Sequence, residues 1–195
     1  MESKNIKRGV ILISLFFLLI NNVDLIKANP QNYLNPTEYI FNSNIQKIKT
    51  AIENQFSNYK FNKMWLEKSL NPESIKIKEV FKKFKNNQND FYLYSSGPIG
   101  FSQVYKDKNG HGLEYYATFY LRVTEIDSIK TKVEVITIDP MIVNGKDIIP
   151  SLPHLVKKDK FKVVPPSTIE EYEILLIIGK EVGLMDKMPK LNKPK

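Results

Sequence analysis

The first regular pattern after the N-terminal segment is an apolar stripe between positions 41 and 59. Its members follow each other at steps of three and four residues, which places all of them on one side of a helix. Asn35 can cap such a helix, and Pro36 suits its first position. The stripe consists of Phe41, Ile45, Ile48, Ile52, Phe56 and Tyr59. We therefore predict a long helix that begins near Asn35 and packs on the core.

A second helical pattern, at residues 73–84, combines an apolar face with a lysine-rich border. The face carries Ile77, Val80, Phe81 and Phe84, and the border carries Lys76, Lys78, Lys82, Lys83 and Lys85. A basic amphipathic helix of this kind either lies on an anionic membrane surface or covers a sheet with its lysines in water. The second interpretation is favoured, because the strands that follow need a cover.

From Phe91 onward the pattern changes to the period of two that is typical of strands. Residues 113–124 alternate most cleanly, with apolar side chains at every odd position, and further strands are predicted at 91–95, 101–105, 131–138 and 161–164. Asp139-Pro140 is predicted to end one strand, because proline cannot donate to a ladder. Asn144-Gly145 is predicted to form a hairpin turn. The pattern indicates a mainly antiparallel sheet of about four to six strands.

The last predicted element is a helix that begins at a capping box formed by Ser167 and Glu170. Its apolar residues continue to Val182, and Gly183 is placed to end it in the left-handed conformation. Residues 185–195 are basic and contain two prolines, so we expect a disordered tail. The predicted fold is a single α+β domain at 29–184, with two N-terminal helices, the sheet, and a C-terminal helix packed on it.

The first 28 residues have the order of a secretory signal peptide. Lys4, Lys7 and Arg8 precede the apolar run 10–20, and Ala28 offers a small residue for cleavage. The run is shorter than the roughly 20 apolar residues that a membrane span needs. We predict an exported protein, periplasmic or secreted, while an uncleaved N-terminal anchor stays open as the alternative.

Charge and cysteine content narrow the classes of partner and chemistry. The net charge is +8, but Arg122 is the only arginine after Arg8. Nucleic-acid recognition favours the arginine fork, so a nucleic-acid partner is not expected, whereas an anionic membrane surface stays possible. The chain has no cysteine, which excludes disulfides, thiolate metal sites and cysteine nucleophiles.

The sequence carries no hydrolase, metalloprotease or nucleotide-binding motif. Residues 107–112 resemble the start of a calcium loop, but Thr118 stands where a bidentate glutamate is needed, so a hairpin turn is favoured. We expect no metal, no cofactor and no catalytic residue. An unrecognised hydrolase that uses His111 or His154 with carboxylates of the sheet stays open as an alternative.

The best candidate site is the stripe Tyr116, Tyr120 and Arg122, which shares the face of the predicted strand opposite to its apolar side. Tyrosine and arginine are enriched at binding hot spots. The competing interpretation is that these tyrosines are packing residues under a cover. The favoured function is a non-enzymatic binding module of the cell envelope or extracellular space for an unknown protein or small ligand. A membrane-peripheral role of the lysine-rich helix and the hydrolase are the alternatives.

Overall fold

The computed structural model describes residues 34–57, 61–67, 89–151 and 154–194. The predicted signal peptide at 1–28 and the predicted lysine-rich helix at 73–84 lie outside the described residues. The same holds for the five lysines of its border, Lys76, Lys78, Lys82, Lys83 and Lys85. Both predictions therefore stay predictions.

Within these ranges, seven strands form one antiparallel sheet, and two helices pack against it. The strands are β1 (Glu38–Phe41), β2 (Trp65–Glu67), β3 (Phe91–Tyr94), β4 (Gly100–Lys106), β5 (Gly112–Asp127), β6 (Lys130–Ser151) and β7 (His154–Val163). The helices are α1 (Ile45–Phe56) and α2 (Ile169–Glu181). The sheet order is β1-β6-β5-β3-β2, while β4 also pairs with β5 and β7 with β6. The predicted α+β class is confirmed.

The core lies between one face of the sheet and the two helices. The odd positions of β5 from Tyr115 to Val123 are buried there, as the alternation predicts. Helix α1 contributes Ile48, Ile52 and Phe56, and α2 contributes Tyr172 and Leu175, all of them buried. No helix in the described ranges has the length and apolar character needed to cross a membrane.

The first helix begins at Ile45 rather than near Asn35, so that part of the prediction is wrong. Residues 38–41 instead form β1, whose backbone pairs with β6 between Thr131 and Glu134. Phe41 reaches the same core from a strand, which explains why its position fits the helical stripe. Two N-terminal helices and four to six strands do not match the described chain, which has seven strands and only α1 before β3.

Asn44 is the residue that caps α1, because its Oδ1 accepts a hydrogen bond from the Lys47 N–H at 2.9 Å. Replacing Asn44 with alanine leaves that N–H without its partner, and we expect a loss of about 1 kcal/mol in the free energy of unfolding. Urea denaturation measures the change. Asn42→Ala is the control at an exposed position outside the cap, and an equal effect of both variants would contradict the capping role.

Strand β6 runs through both sites at which the sequence predicted an interruption. Asp139 adopts a positive φ of 49° at a register shift opposite Tyr116 and Thr118, so Asp139-Pro140 forms a bulge and does not end the strand. Gly145, with φ at 93°, lies at a second shift between β6 and β7. The predicted hairpin turn at Asn144-Gly145 is therefore wrong. A residue with a positive φ occurs in bulges as well as in turns. Which of the two forms depends on whether the strand continues to pair beyond it.

The start of α2 differs in detail from the predicted capping box. Thr168 takes the capping position with φ at 64° and makes no side-chain cap bond. Ser167 Oγ accepts from the Ile169 N–H at 3.1 Å and donates to the Glu170 carboxylate. At the other end, Gly183 has φ at 76°, the conformation that the sequence predicted for it.

Residues 185–194 pack on the domain, which disagrees with the expected disordered tail. Met188 is 8% exposed and lies so near Gly179 that a Cβ there would come within 2.3 Å of its Sδ. The Tyr172 hydroxyl donates to the Pro189 carbonyl at 2.6 Å, and Asn35 and Asn192 exchange hydrogen bonds of 2.8 and 3.0 Å. Because the segment is mostly basic, its sequence did not indicate that these few residues contact the domain.

Candidate functional site

The predicted binding stripe lies on the outer face of the sheet, opposite to the core, but Tyr120 is only 1% exposed. Tyr120 stands directly across from Tyr92 of β3 and forms a small second cluster with it. Its hydroxyl donates to Asp90 Oδ2, while Asp90 Oδ1 accepts from the Val123 N–H at 3.0 Å. Burial, together with the Asp90 carboxylate, raises the pKa of Tyr120. The side chain of Tyr120 therefore links β5 to Asp90, the residue before β3, and exposes little surface to a ligand.

The other two members of the stripe also have partners within the sheet. Tyr116 is half-buried, and the Phe161 ring of β7 packs edge-on against it with centroids 5.1 Å apart. The Arg122 guanidinium bonds to the Glu134 carboxylate at 3.2 Å. The three residues share a face, as their spacing predicts, but they do not converge on one recess.

His111 lies at the tip of the β4–β5 hairpin, where its side chain is 79% exposed. The carboxylate of Asp107 accepts from the backbone N–H groups of Asn109 and His111, and these bonds, the one from His111 first, lower the pKa of Asp107. The loop is thus a hairpin turn closed by its own aspartate. In the described ranges no group of three or more metal-ligating side chains occurs. Such a cluster, which the hydrolase alternative would need, is therefore not seen around His111 in these ranges. His154 is the first residue of β7.

A recess that the sequence did not indicate lies between the β4–β5 hairpin and the first turns of α2. Its volume is about 210 Å³. Its wall is formed mainly by Ile99, Phe101, Gln103, Tyr115, Glu170 and Glu173. We call it the Tyr115 cavity, because Tyr115 of β5 is one of the residues on its wall.

Strand pairing and helix periodicity bring these residues together. The Ile99 N–H donates to the Tyr115 carbonyl at 2.9 Å, and Gly100 stands across from Tyr115 in the β4–β5 register. On α2, Glu170 and Glu173 are three residues apart and therefore share one side of the helix. In the folded protein this side of α2 and Tyr115, near the start of β5, line the same recess.

Two consecutive glutamates at the start of α2 are buried, which is rare for charged side chains. Glu171 is 1% exposed; Thr137 Oγ1 donates to its Oε1, while its Oε2 has no hydrogen-bond partner among the described residues. Burial raises the pKa of Glu171 to about 7. Burial also raises the pKa of Glu170. The protein thus contains two carboxyl groups whose charged forms are made unfavourable by burial.

Two tyrosines face these carboxyl groups. The Tyr105 hydroxyl donates to the Pro165 carbonyl at 2.6 Å, and burial, with Glu170 and Glu171 nearby, raises its pKa to about 12. Burial and the same glutamates also raise the pKa of Tyr115, whose side chain is fully buried. The Tyr115 hydroxyl has no hydrogen-bond partner of standard geometry among the described residues, while an interaction with the Ser167 backbone opposes the rise in its pKa.

Most buried polar atoms in proteins are paired, so each exception calls for an explanation. Among the described residues, Tyr115 Oη, Glu171 Oε2 and Asn144 Oδ1 are the buried side-chain atoms without a partner. Tyr115 belongs to the cavity wall, and Glu171 lies close enough for its charge to raise the pKa of Tyr115. This concentration, and not the stripe on the outer face, marks the strongest candidate site.

The sequence holds two weak signals that point to this site. Tyr115 carries a polar tip within an otherwise apolar stripe, and Glu170-Glu171 interrupts the most apolar helix of the chain. Acidic residues in the first turn of a helix usually interact favourably with the helix dipole. Glu170 and Glu171 therefore look ordinary in the sequence. Comparisons with protein-family models, with curated proteins and with solved structures find no match for this chain.

Proposed function

We propose that this protein is a non-enzymatic binding protein that holds a small polar ligand in the Tyr115 cavity. The single observation that carries the proposal is a recess of about 210 Å³ whose wall includes Glu170, a glutamate that is only 7% exposed. Glu170 accepts a hydrogen bond from the Ser167 hydroxyl, and a polar ligand in the recess would add a further hydrogen bond to this carboxylate.

The size of the cavity restricts the ligand to small molecules. A cavity of about 150 Å³ accepts a molecule of the size of benzene, and drug-sized ligands occupy about 300–1,000 Å³. The 210 Å³ here lie between these sizes. We therefore expect a ligand, or the reaching end of one, with about ten non-hydrogen atoms or fewer.

The predicted export of the protein agrees with a binding function, but the proposal does not depend on export. The basic start and short apolar run of the first 28 residues predict a protein that acts outside the cytoplasm. A domain that works there without disulfides depends on its core, and the chain has no cysteine. We propose a ligand-binding role in the periplasm or in the extracellular space.

The test is a screen of fragments of about ten heavy atoms or fewer by two-dimensional NMR. We expect at least one fragment to shift the backbone signals of Ile99, Gln103 and Glu170. Gln103→Trp places a large ring in the cavity from the wall and should abolish those shifts. Lys108→Trp introduces the same ring at an exposed position of the hairpin turn and should leave them unchanged.

Circular dichroism of both variants verifies that the fold is kept. If no fragment shifts the cavity signals, or if Gln103→Trp responds like the parent protein, the cavity is not a binding site and the proposal fails.

A further inference from the structure

Strands β6 and β7 form an arm that extends past the rest of the sheet. The pairing of β6 with β5 reaches as far as Ile142. From Val143 onward, β7 is the only strand that pairs with β6 among the described residues, and no described strand pairs with the second edge of β7. A ribbon of two strands is only marginally stable in water, whereas a third strand stabilises it.

The two edges of this arm differ in regularity. The β6 edge contains the bulge at Gly145 and Pro150, which has no N–H to donate. β7 runs from His154 to Val163 without glycine or proline. In an edge strand, every second residue points its backbone N–H and C=O groups away from the neighbouring strand, where another chain can pair with them. The β7 edge is therefore the better template for an added strand.

The two faces of β7 carry different side chains. The Phe161 ring packs against Tyr116 on the outer face of the sheet, so Phe161 and Val163 belong to that face, where they are 47% and 71% exposed. The alternate positions on the opposite face are three exposed lysines spaced about 7 Å apart, namely Lys158, Lys160 and Lys162. One side of this edge is thus apolar and the other is positively charged.

The charge of β7 restricts the strand that can be added. β7 contains four lysines and one acidic residue, Asp159, which forms an ion pair with Lys146 of β6 at 3.9 Å. Asp147 of β6 stands across from Lys158 and offsets part of the charge. A second copy of this chain is disfavoured as the partner, because pairing of two β7 edges would place lysines beside lysines. A membrane or a nucleic acid neutralises lysines but offers no strand backbone to the edge.

We propose that β7 binds an extended acidic segment of a partner protein by strand addition. The segment pairs its backbone with the edge of β7. Its carboxylates lie beside Lys160 and Lys162, and its alternate apolar side chains lie beside Phe161 and Val163. This surface is separate from the Tyr115 cavity, whose described wall includes no residue of β7, so each proposal can fail without the other.

NMR titration of the intact protein with three capped heptapeptides tests the proposal. The first alternates glutamate and valine, and the second has the same composition in an order that places glutamates on both faces. The third is the first peptide with every amide N-methylated, so it donates no backbone hydrogen bond. We expect the first peptide to shift the backbone signals of residues 157–163 and to bind at least about tenfold more tightly than the other two, although all three carry the same charge.

Charge reversal assigns the binding to the lysine face. Lys160→Glu combined with Lys162→Glu should weaken the first peptide about tenfold or more, because carboxylates then lie beside carboxylates. Lys187→Glu combined with Lys190→Glu makes the same change in net charge at exposed positions of the C-terminal segment and should change the affinity less than about twofold. Circular dichroism verifies the fold, and the three peptides on the parent protein decide the question if the β7 variant does not fold.

Three results would contradict the proposal. If the first peptide causes no shift, the β7 edge is not a binding surface. If the three peptides bind equally, or if the β7 variant binds like the parent protein, the lysines attract acidic molecules without strand addition. If phosphatidylglycerol vesicles or single-stranded DNA shift the β7 signals at lower concentration than the first peptide, the arm binds an anionic membrane or a nucleic acid instead.

Discussion

Deletion of residues 185–195 should lower the melting temperature by about 10 °C. Met188 is buried, and replacing a buried methionine with alanine alone costs about 2–5 kcal/mol. The deletion also removes the Pro189 carbonyl from the Tyr172 hydroxyl and the Asn192 partner from Asn35. A total near 4 kcal/mol corresponds to the stated shift, since each kcal/mol changes the melting temperature of a domain of this size by about 2–4 °C.

A pair of methionines in the same segment provides a matched comparison. Met188→Ala should cost about 2–5 kcal/mol, because it opens a cavity beside Gly179. Met185→Ala should cost less than about 1 kcal/mol, because Met185 is 43% exposed. Chemical denaturation of the two variants measures both values. If deletion leaves the melting temperature unchanged, or if both methionines matter equally, the segment does not dock as described.

Glu171→Gln should make the stability of the protein less dependent on pH. Burial raises the pKa of Glu171 from 4.5 to about 7 in the folded state, so the folded protein holds a proton that the unfolded chain releases. The stabilising effect of that proton is complete below about pH 4.5 and is lost as the pH rises through about 7. Fully developed, it amounts to about 3 kcal/mol.

Glutamine cannot ionise, and its carbonyl oxygen can still accept from Thr137. The difference in the free energy of unfolding, variant minus parent, should therefore rise by about 3 kcal/mol between pH 4 and pH 8. Using the difference removes the contribution of the other titrating groups. Urea denaturation at several pH values gives it directly. Glu181→Gln, at an exposed position of the same helix, should show a flat difference, and a flat difference for Glu171→Gln would mean that Glu171 is solvated.

The pH effect and the proposed ligand have the same physical origin. Glu170 and Glu171 are buried at the start of α2, and each accepts a hydrogen bond from a hydroxyl group. Such groups persist in proteins when they contribute something other than stability, such as binding.

Sequence patterning predicted the elements in which one continuous face is buried. β5 is found where residues 113–124 alternate, because every second side chain must enter the core. α2 is found where a long apolar run ends at Gly183. α1 is found in its second part only, from Ile45, because the stripe of apolar positions continues through Phe41 into a strand.

The candidate site was not predicted, because each of its residues has an ordinary local explanation. Tyr115 fits an apolar strand face, and Glu170 and Glu171 fit the acidic first turn of a helix. Only tertiary packing brings Tyr115 and Glu170 to the wall of one cavity. The burial of Tyr120 in the predicted stripe also depends on a distant residue, since its hydroxyl donates to the Asp90 carboxylate.

What the sequence by itself determined is the α+β class, the central antiparallel strands and the C-terminal helix, because periodic burial is a local property of the chain. The tertiary structure decided the rest: β1 exists because β6 offers it a partner, and the bulges at Asp139 and Gly145 exist because β6 pairs past them. Docking of Met188 and the burial of Glu171 depend on surfaces that form only when distant segments meet. Hydrogen bonds and buried area between such segments are large enough to override local propensity, and no local pattern records them.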